Sequence, residues 1–267
     1  MKCFGIALSV FLFPALLAGQ ETGSGPEPEA AACRALFSTS AETTEPGVLE
    51  LEFGGQKIYN RDRSEALLLP TQLNLGLSGR LDVRIGWGGP MTLKDAEGNP
   101  TSGGTDPVLG FQALGLSQDQ SGVDLGLAYW HKVPRASVEK GLGSAKHDDT
   151  ALVTLSRAGG RWAVDVNAGA NWIGCQGQDY RVRQGVLSCT VTMAPAEGWN
   201  LSLDTYAFAG TELGPRVVSS ILAASREITP NLTVDVAVEA GLTRSAPRLA
   251  LSAGLVWRLG RLWKAGA

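Results

Sequence analysis

The chain has 267 residues, of which 44% are apolar and 18% charged, with 34 glycines and 4 cysteines. Its 23 basic and 26 acidic side chains leave a net charge of −3, too little for a nucleic-acid binder that works through a basic field. A mean hydropathy of +0.03 excludes a disordered chain, and the glycine content argues against a helical one, since each glycine costs a helix about 1 kcal/mol.

Residues 1–19 read as a signal peptide, with Lys2 in the charged region, Phe4–Leu17 as the apolar region and an exit around Leu16-Leu17-Ala18. At about 14 apolar residues, interrupted by Pro14, the segment falls short of the roughly 20 that a membrane helix needs. Residues 20–46 are rich in Glu, Pro, Ala, Ser and Thr and read as a mobile leader before a domain over 47–267.

Beyond Pro46-Gly47 apolar residues recur with period two, the signature of strands with one apolar and one polar face. The first is Leu49, Leu51 and Phe53 against Glu50 and Glu52; a second spans Leu67 to Leu77; a third sets Leu81, Val83, Ile85 and Trp87 against Asp82 and Arg84. Further runs follow around residues 109–111, 123–129, 151–155, 162–172, 191–193, 199–203, 217–225, 232–242 and 249–259, about twelve strands in all. Connections are short at Gly79, Ala158–Gly160, Ala196–Gly198 and Thr229–Asn231, but long at Gly88–Thr105, Pro134–Asp148 and Ile173–Val186. Such alternation predicts an all-β, antiparallel up-and-down transmembrane β-barrel of about twelve strands, with short periplasmic turns and longer extracellular loops. The expected location is the outer membrane of a Gram-negative-type cell. The expected partners are the lipid bilayer, small-molecule solutes and the barrel-assembly machinery, with no nucleic acid. A soluble exported β-sandwich is the rival fold.

Five tryptophans, Trp87, Trp162, Trp172, Trp199 and Trp257, fall on the apolar parity at strand ends. Trp162 and Trp172 are separated by roughly 34 Å of strand, which a tilt of about 40° reduces to the spacing of two aromatic girdles. The polar parity then lines a lumen. Its acids are Glu50, Glu52, Asp82, Asp124, Asp165, Asp204, Asp235 and Glu239. Arg80, Arg84 and Arg258 face them, and Trp130 and Tyr206 add aromatic surface. Mixed signs point to a hydrated, cross-braced interior rather than a selective ring. Cys175 and Cys189 flank one long connection and are expected to pair, in a compartment that permits disulfides.

Enzymatic signals are weak. His131 lies on the lipid parity, but Val133 is its same-face neighbour, where a nucleophile would be needed. His147-Asp148-Asp149 has no second His or Cys nearby in the sequence and reads as a solvated loop. Gly141-Leu142-Gly143 lacks a strand-to-helix context, so the reading is not an enzyme, with no cofactor and no metal.

Arg34-Ala35-Leu36 with TSAETTEPGVLELEFG resembles the start of the outer-membrane family named for the MetA-pathway of phenol degradation. RLDVRIGWG, Asp106-Pro107-Val108-Leu109-Gly110, ITPNLTVDVAVEAGLTRSAP and SAGLVWRL resemble its later segments, over roughly residues 34–259. The resemblance implies a twelve-stranded outer-membrane channel or transporter associated with aromatic or other hydrophobic compounds. The alternative function is a non-transporting structural or surface barrel.

Overall fold

The computed structural model describes residues 34–263; the signal-peptide reading, Cys33 and the first part of the leader lie outside them. Fifteen strands form one antiparallel sheet: β1 (Val48–Tyr59), β2 (Glu65–Leu68), β3 (Thr71–Ser78), β4 (Leu81–Trp87), β5 (Pro90–Lys94), β6 (Pro100–Gly104), β7 (Pro107–Leu116), β8 (Asp124–Lys132), β9 (Asp148–Gly159), β10 (Trp162–Gly174), β11 (Arg181–Met193), β12 (Trp199–Phe208), β13 (Val217–Thr229), β14 (Leu232–Gly241) and β15 (Leu249–Arg261). β15 pairs with β1 from Val48↔Arg261 to Tyr59↔Leu249 and closes the sheet into a twelve-stranded barrel. The remaining three strands, β2, β5 and β6, prolong the wall beyond it. A single helical turn, α1 (Gln118–Ser121), joins β7 to β8.

Exposure decides which face meets what. Leu222 (63%), Val236 (57%) and Leu203 (54%) stand open on the outside, whereas Asn74, Asp82, Gln112 and Asn167 are 0% exposed inside. A sandwich would bury the first set and solvate the second. In a bilayer a closed barrel satisfies every backbone group between strands, while the apolar outer side chains meet lipid. The five tryptophans are all outward and exposed. Trp162, Trp199 and Trp257 sit near the periplasmic rim. Trp87 and Trp172 sit at the other rim.

Two expected long loops prove to be mostly strand. Residues 175–180 are all that remain between β10 and β11, because the ladder runs to Gly174↔Arg181. Within residues 88–105, β5 and β6 form a hairpin paired from Pro90↔Gly104 to Lys94↔Pro100. This hairpin stands on a row of kinks at Leu69-Pro70, Gly88-Gly89 and Thr105-Asp106. The kinks are held by Leu69 N–H to the Pro90 carbonyl (3.2 Å) and Thr105 N–H to the Gly89 carbonyl (3.2 Å). Gly89 has φ +76°, and a Cβ there would collide with the Leu69 carbonyl oxygen, so the kink requires glycine.

The extension ends disulfide formation between Cys175 and Cys189. Cys189 is mid-strand and outward, opposite Val166 and Thr205, while Cys175 follows the far end of β10. Nine positions of strand, about 30 Å, separate the two levels, against the roughly 7 Å between Cα atoms that a bond tolerates.

The leader also departs from expectation. Residues 34–46 run inside the barrel, with Leu36, Phe37, Ser38, Thr39, Ser40 and Ala41 all buried. A closed barrel of this width leaves unfilled polar wall, and an extended segment rich in small polar residues supplies backbone groups to pair with it.

Candidate functional site

The lumen is built from the inward side chains and the leader that crosses them. The described part of the leader starts at Arg34 beside β1 and β15, where Gly54 and Gly254 pair directly and leave a notch that any Cβ would fill. The Arg34 guanidinium occupies this notch and reaches Asp235 at 3.4 Å. Asp204 then takes three donors, the backbone N–H groups of Phe37 (2.6 Å) and Ser38 (2.8 Å) and the Ser38 hydroxyl (2.8 Å). Asn167 clamps Thr39 from both sides, accepting its N–H (2.8 Å) and donating to its carbonyl (2.7 Å). Gln112 donates to the carbonyls of Ser40 and Glu42, and the Ser156 hydroxyl accepts the Ala41 N–H at 2.8 Å. At the periplasmic end Asp82 accepts the Thr44 N–H (2.9 Å) while its two oxygens accept from Nε and Nη2 along one edge of the Arg84 guanidinium, at 2.8 and 2.9 Å. The segment is therefore a strap tied to β14, β12, β10, β9, β7 and β4 in turn.

Above this polar strap the interior turns apolar. Phe37 stacks on Tyr206 with ring centroids 4.3 Å apart and meets Phe208 edge-on at 5.4 Å. Leu36, Trp130, Leu152, Val186 and Ile221 complete the cluster. The Tyr206 hydroxyl donates to Glu239 at 2.6 Å, which fixes the ring against which Phe37 lies. A second apolar cluster closes the extracellular mouth. The loop over residues 133–147 folds inward and sets Leu142 and Ala136 against Ile58, Leu68, Met91 and Ala250. Asp106 anchors the loop by accepting the N–H groups of Arg135 (2.6 Å) and Ala136 (2.7 Å).

Most residues expected in the lumen are there. Glu50, Glu52, Asp82, Arg84, Trp130, Asp165, Asp204 and Asp235 are buried inside, as are Tyr206 and Glu239. Asp124 lines the periplasmic end and accepts the Gln118 N–H at 2.6 Å. Arg258 pairs with Glu45 at 3.1 Å and lies 3.7 Å from Glu50. Arg80 does not line the lumen: it belongs to the exposed turn between β3 and β4, where it donates to the Gly115 carbonyl. Periodicity missed Arg34, Phe37 and Gln112, and placed Asn167 on the polar face of its strand without marking it as a site residue. The leader residues have no alternation to betray them, and β7 carries so much glycine and alanine that its polar position is inconspicuous. One usable signal was glycine on the lumen parity at Gly54, Gly76 and Gly254, since each marks a close approach by the leader.

The family model described as "Putative MetA-pathway of phenol degradation" matches residues 37–259, from the leader's central aromatic to the last strand. The chain belongs to that family. No curated protein matches it. Among solved structures, the NanC porin is similar with a TM-score of 0.58 at 10% identity, covering 79% of this chain and 100% of the porin. The CymD monoaromatic hydrocarbon channel gives 0.47 at 10% identity, over 82% of this chain and 90% of that one. Outer membrane phospholipase A from Escherichia coli gives 0.44 at 11% identity, over 91% and 96%. The porin likeness shows the fold of this family member: a closed outer-membrane barrel.

Proposed function

We propose that this barrel is an outer-membrane channel for small aromatic or hydrophobic compounds, closed at rest by its own leader. The observation that carries the reading is the stack of Phe37 on Tyr206 inside an apolar cluster of the lumen, beside the polar side chains that anchor the leader. A lumen built only to be braced needs no such site, whereas one that passes apolar solutes needs a place where they lose water. The leader's own aromatic ring fills that place, so a solute of similar chemistry competes with it. The family's name, and the hydrocarbon channel among the structural neighbours, agree with this substrate class.

The test is a release of the strap. Asp204→Ala leaves the Phe37 and Ser38 donors without their acceptor, a cost of about 1–3 kcal/mol for each buried group left unpaired. Planar-bilayer recordings are expected to show larger conductance for this variant than for wild type, and phenol or indole in the bath is expected to block it. Equal conductance in both, with no effect of the aromatic solutes, favours the second reading. That reading, a non-transporting barrel, draws on the number of separate anchors that hold the strap.

A further inference from the structure

The chain has only two histidines, and the structure brings them together. His131 is the last residue but one of β8 and faces outward; His147 lies on the exposed end of the loop that returns to β9. Nδ1 of His147 stands 3.0 Å from Nε2 of His131. On the other side of its ring, Nδ1 of His131 meets Oδ1 of Asp149 at 2.7 Å. That carboxylate is itself fixed: the Tyr129 hydroxyl donates to Oδ1 at 2.5 Å, and Arg181 holds Oδ2. Asp149 accordingly accepts a hydrogen bond from the Nδ1–H of His131, which leaves Nε2 with its lone pair directed at His147. Sequence reading separated these residues as an isolated strand histidine and a solvated His-Asp-Asp loop. The β8–β9 pairing His131↔Asp149 joins them.

We propose that His131 and His147 form a binding site for a divalent transition-metal ion of the imidazole-preferring class, on the outer face at the extracellular rim, with Asp149 as the positioning residue. Two imidazole nitrogens each about 2.0–2.1 Å from one tetrahedral ion lie about 3.3 Å apart, so the observed gap needs to open by only about 0.3 Å. The exposed position of His147 allows its ring to turn. The exchange balances without an added reactant: the proton on Nδ1 of His147 moves to its Nε2, and the ion takes the freed lone pair together with that of His131. Asp149 acting on the far nitrogen of a ligating histidine is the arrangement that orients the ring and raises its basicity. Its second oxygen is taken by Arg181, which keeps the carboxylate out of the coordination sphere. Among the described residues no cluster of three His, Cys, Asp or Glu side chains surrounds a single point, so water fills the remaining positions.

The experiment uses the full chain, untagged and folded in detergent, titrated with Cu²⁺ and read by electron paramagnetic resonance. With two histidines in the whole sequence, a hyperfine pattern from two imidazole nitrogens has one source. One ion per chain with that pattern is expected, displaced by excess Zn²⁺. His131→Gln and His147→Ala are each expected to abolish the pattern, and Asp149→Asn to weaken binding about 10- to 100-fold. Each variant is checked for a heat-dependent shift on a denaturing gel, and His147→Ala, on an exposed loop, keeps the test valid if a strand variant fails to fold. A spectrum with no imidazole nitrogen or one, or a two-nitrogen pattern that survives in His147→Ala, overturns the proposal and leaves the histidine pair as a hydrogen-bonded clasp of the loop.

Discussion

The wall from β9 to β14 and the wall from β2 to β7 are built from equally alternating sequence, yet they behave differently at the extracellular rim. Between β9 and β13 the ladders run residue for residue from rim to rim. β13 and β14 shift register once, between Glu227 and Thr229, beside the periplasmic turn. On the other wall the pairs Thr71↔Trp87 and Leu68↔Met91 show four positions on the β4–β5 side passing three on the β2–β3 side. One extra residue is a bulge, and a one-residue slip turns every later side chain to the other face. Below the kink Asp82 and Arg84 point inward; above it Met91 does. The broken wall thereby lines the mouth with apolar groups, and the inward loop over residues 133–147 docks on them. The regular wall has no such break: its inward side turns from polar to apolar at Leu152, Val186, Tyr206 and Ile221 with no slip of register between β9 and β13.

The largest test of this contrast lies on the regular wall. Val236 is outward, midway along β14 and 57% exposed, so Val236→Arg puts a charge near the bilayer midplane at a cost of about 2–4 kcal/mol. The folded fraction in detergent or lipid is expected to fall sharply; normal folding would contradict the assignment of faces. Next comes the kink itself. Gly89→Ala forces a side chain into φ +76° and against the Leu69 carbonyl, and backbone strain of this kind costs about 1–3 kcal/mol. Limited proteolysis is expected to cut the β5–β6 hairpin faster in this variant while the β9–β14 wall stays protected. Smallest is Leu67→Arg. Leu67 is 45% exposed but stands on β2, beyond the kinks, where an arginine costs about 0–1 kcal/mol. Its folded fraction is expected to match wild type, and a loss as large as that of Val236→Arg would place the extension inside the bilayer.

Val236 and Leu67 also mark how far the sequence could be read. Both sit on the apolar parity, and parity alone cannot tell a lipid-facing strand from one that rises above the membrane. Asp204 shows the same limit for the site. Its place in the lumen follows from the alternation in β12, but its three donors come from residues 37 and 38, more than 160 positions earlier. Cys175 and Cys189 fail for a related reason: spacing in the chain suggests a loop, and the ladder with β10 turns that loop into strand.

Period-two patterning determined the antiparallel strands of the barrel proper, which of their faces meets lipid and where the tryptophans fall along them, because each of these depends on the pleat and on residues close in sequence. Closure of β15 on β1, the strap of residues 34–46, the kinked mouth and the meeting of His131 with His147 were decided only in three dimensions. They rest on backbone hydrogen bonds and on small residues that permit close approach, and neither leaves a periodic trace in the chain.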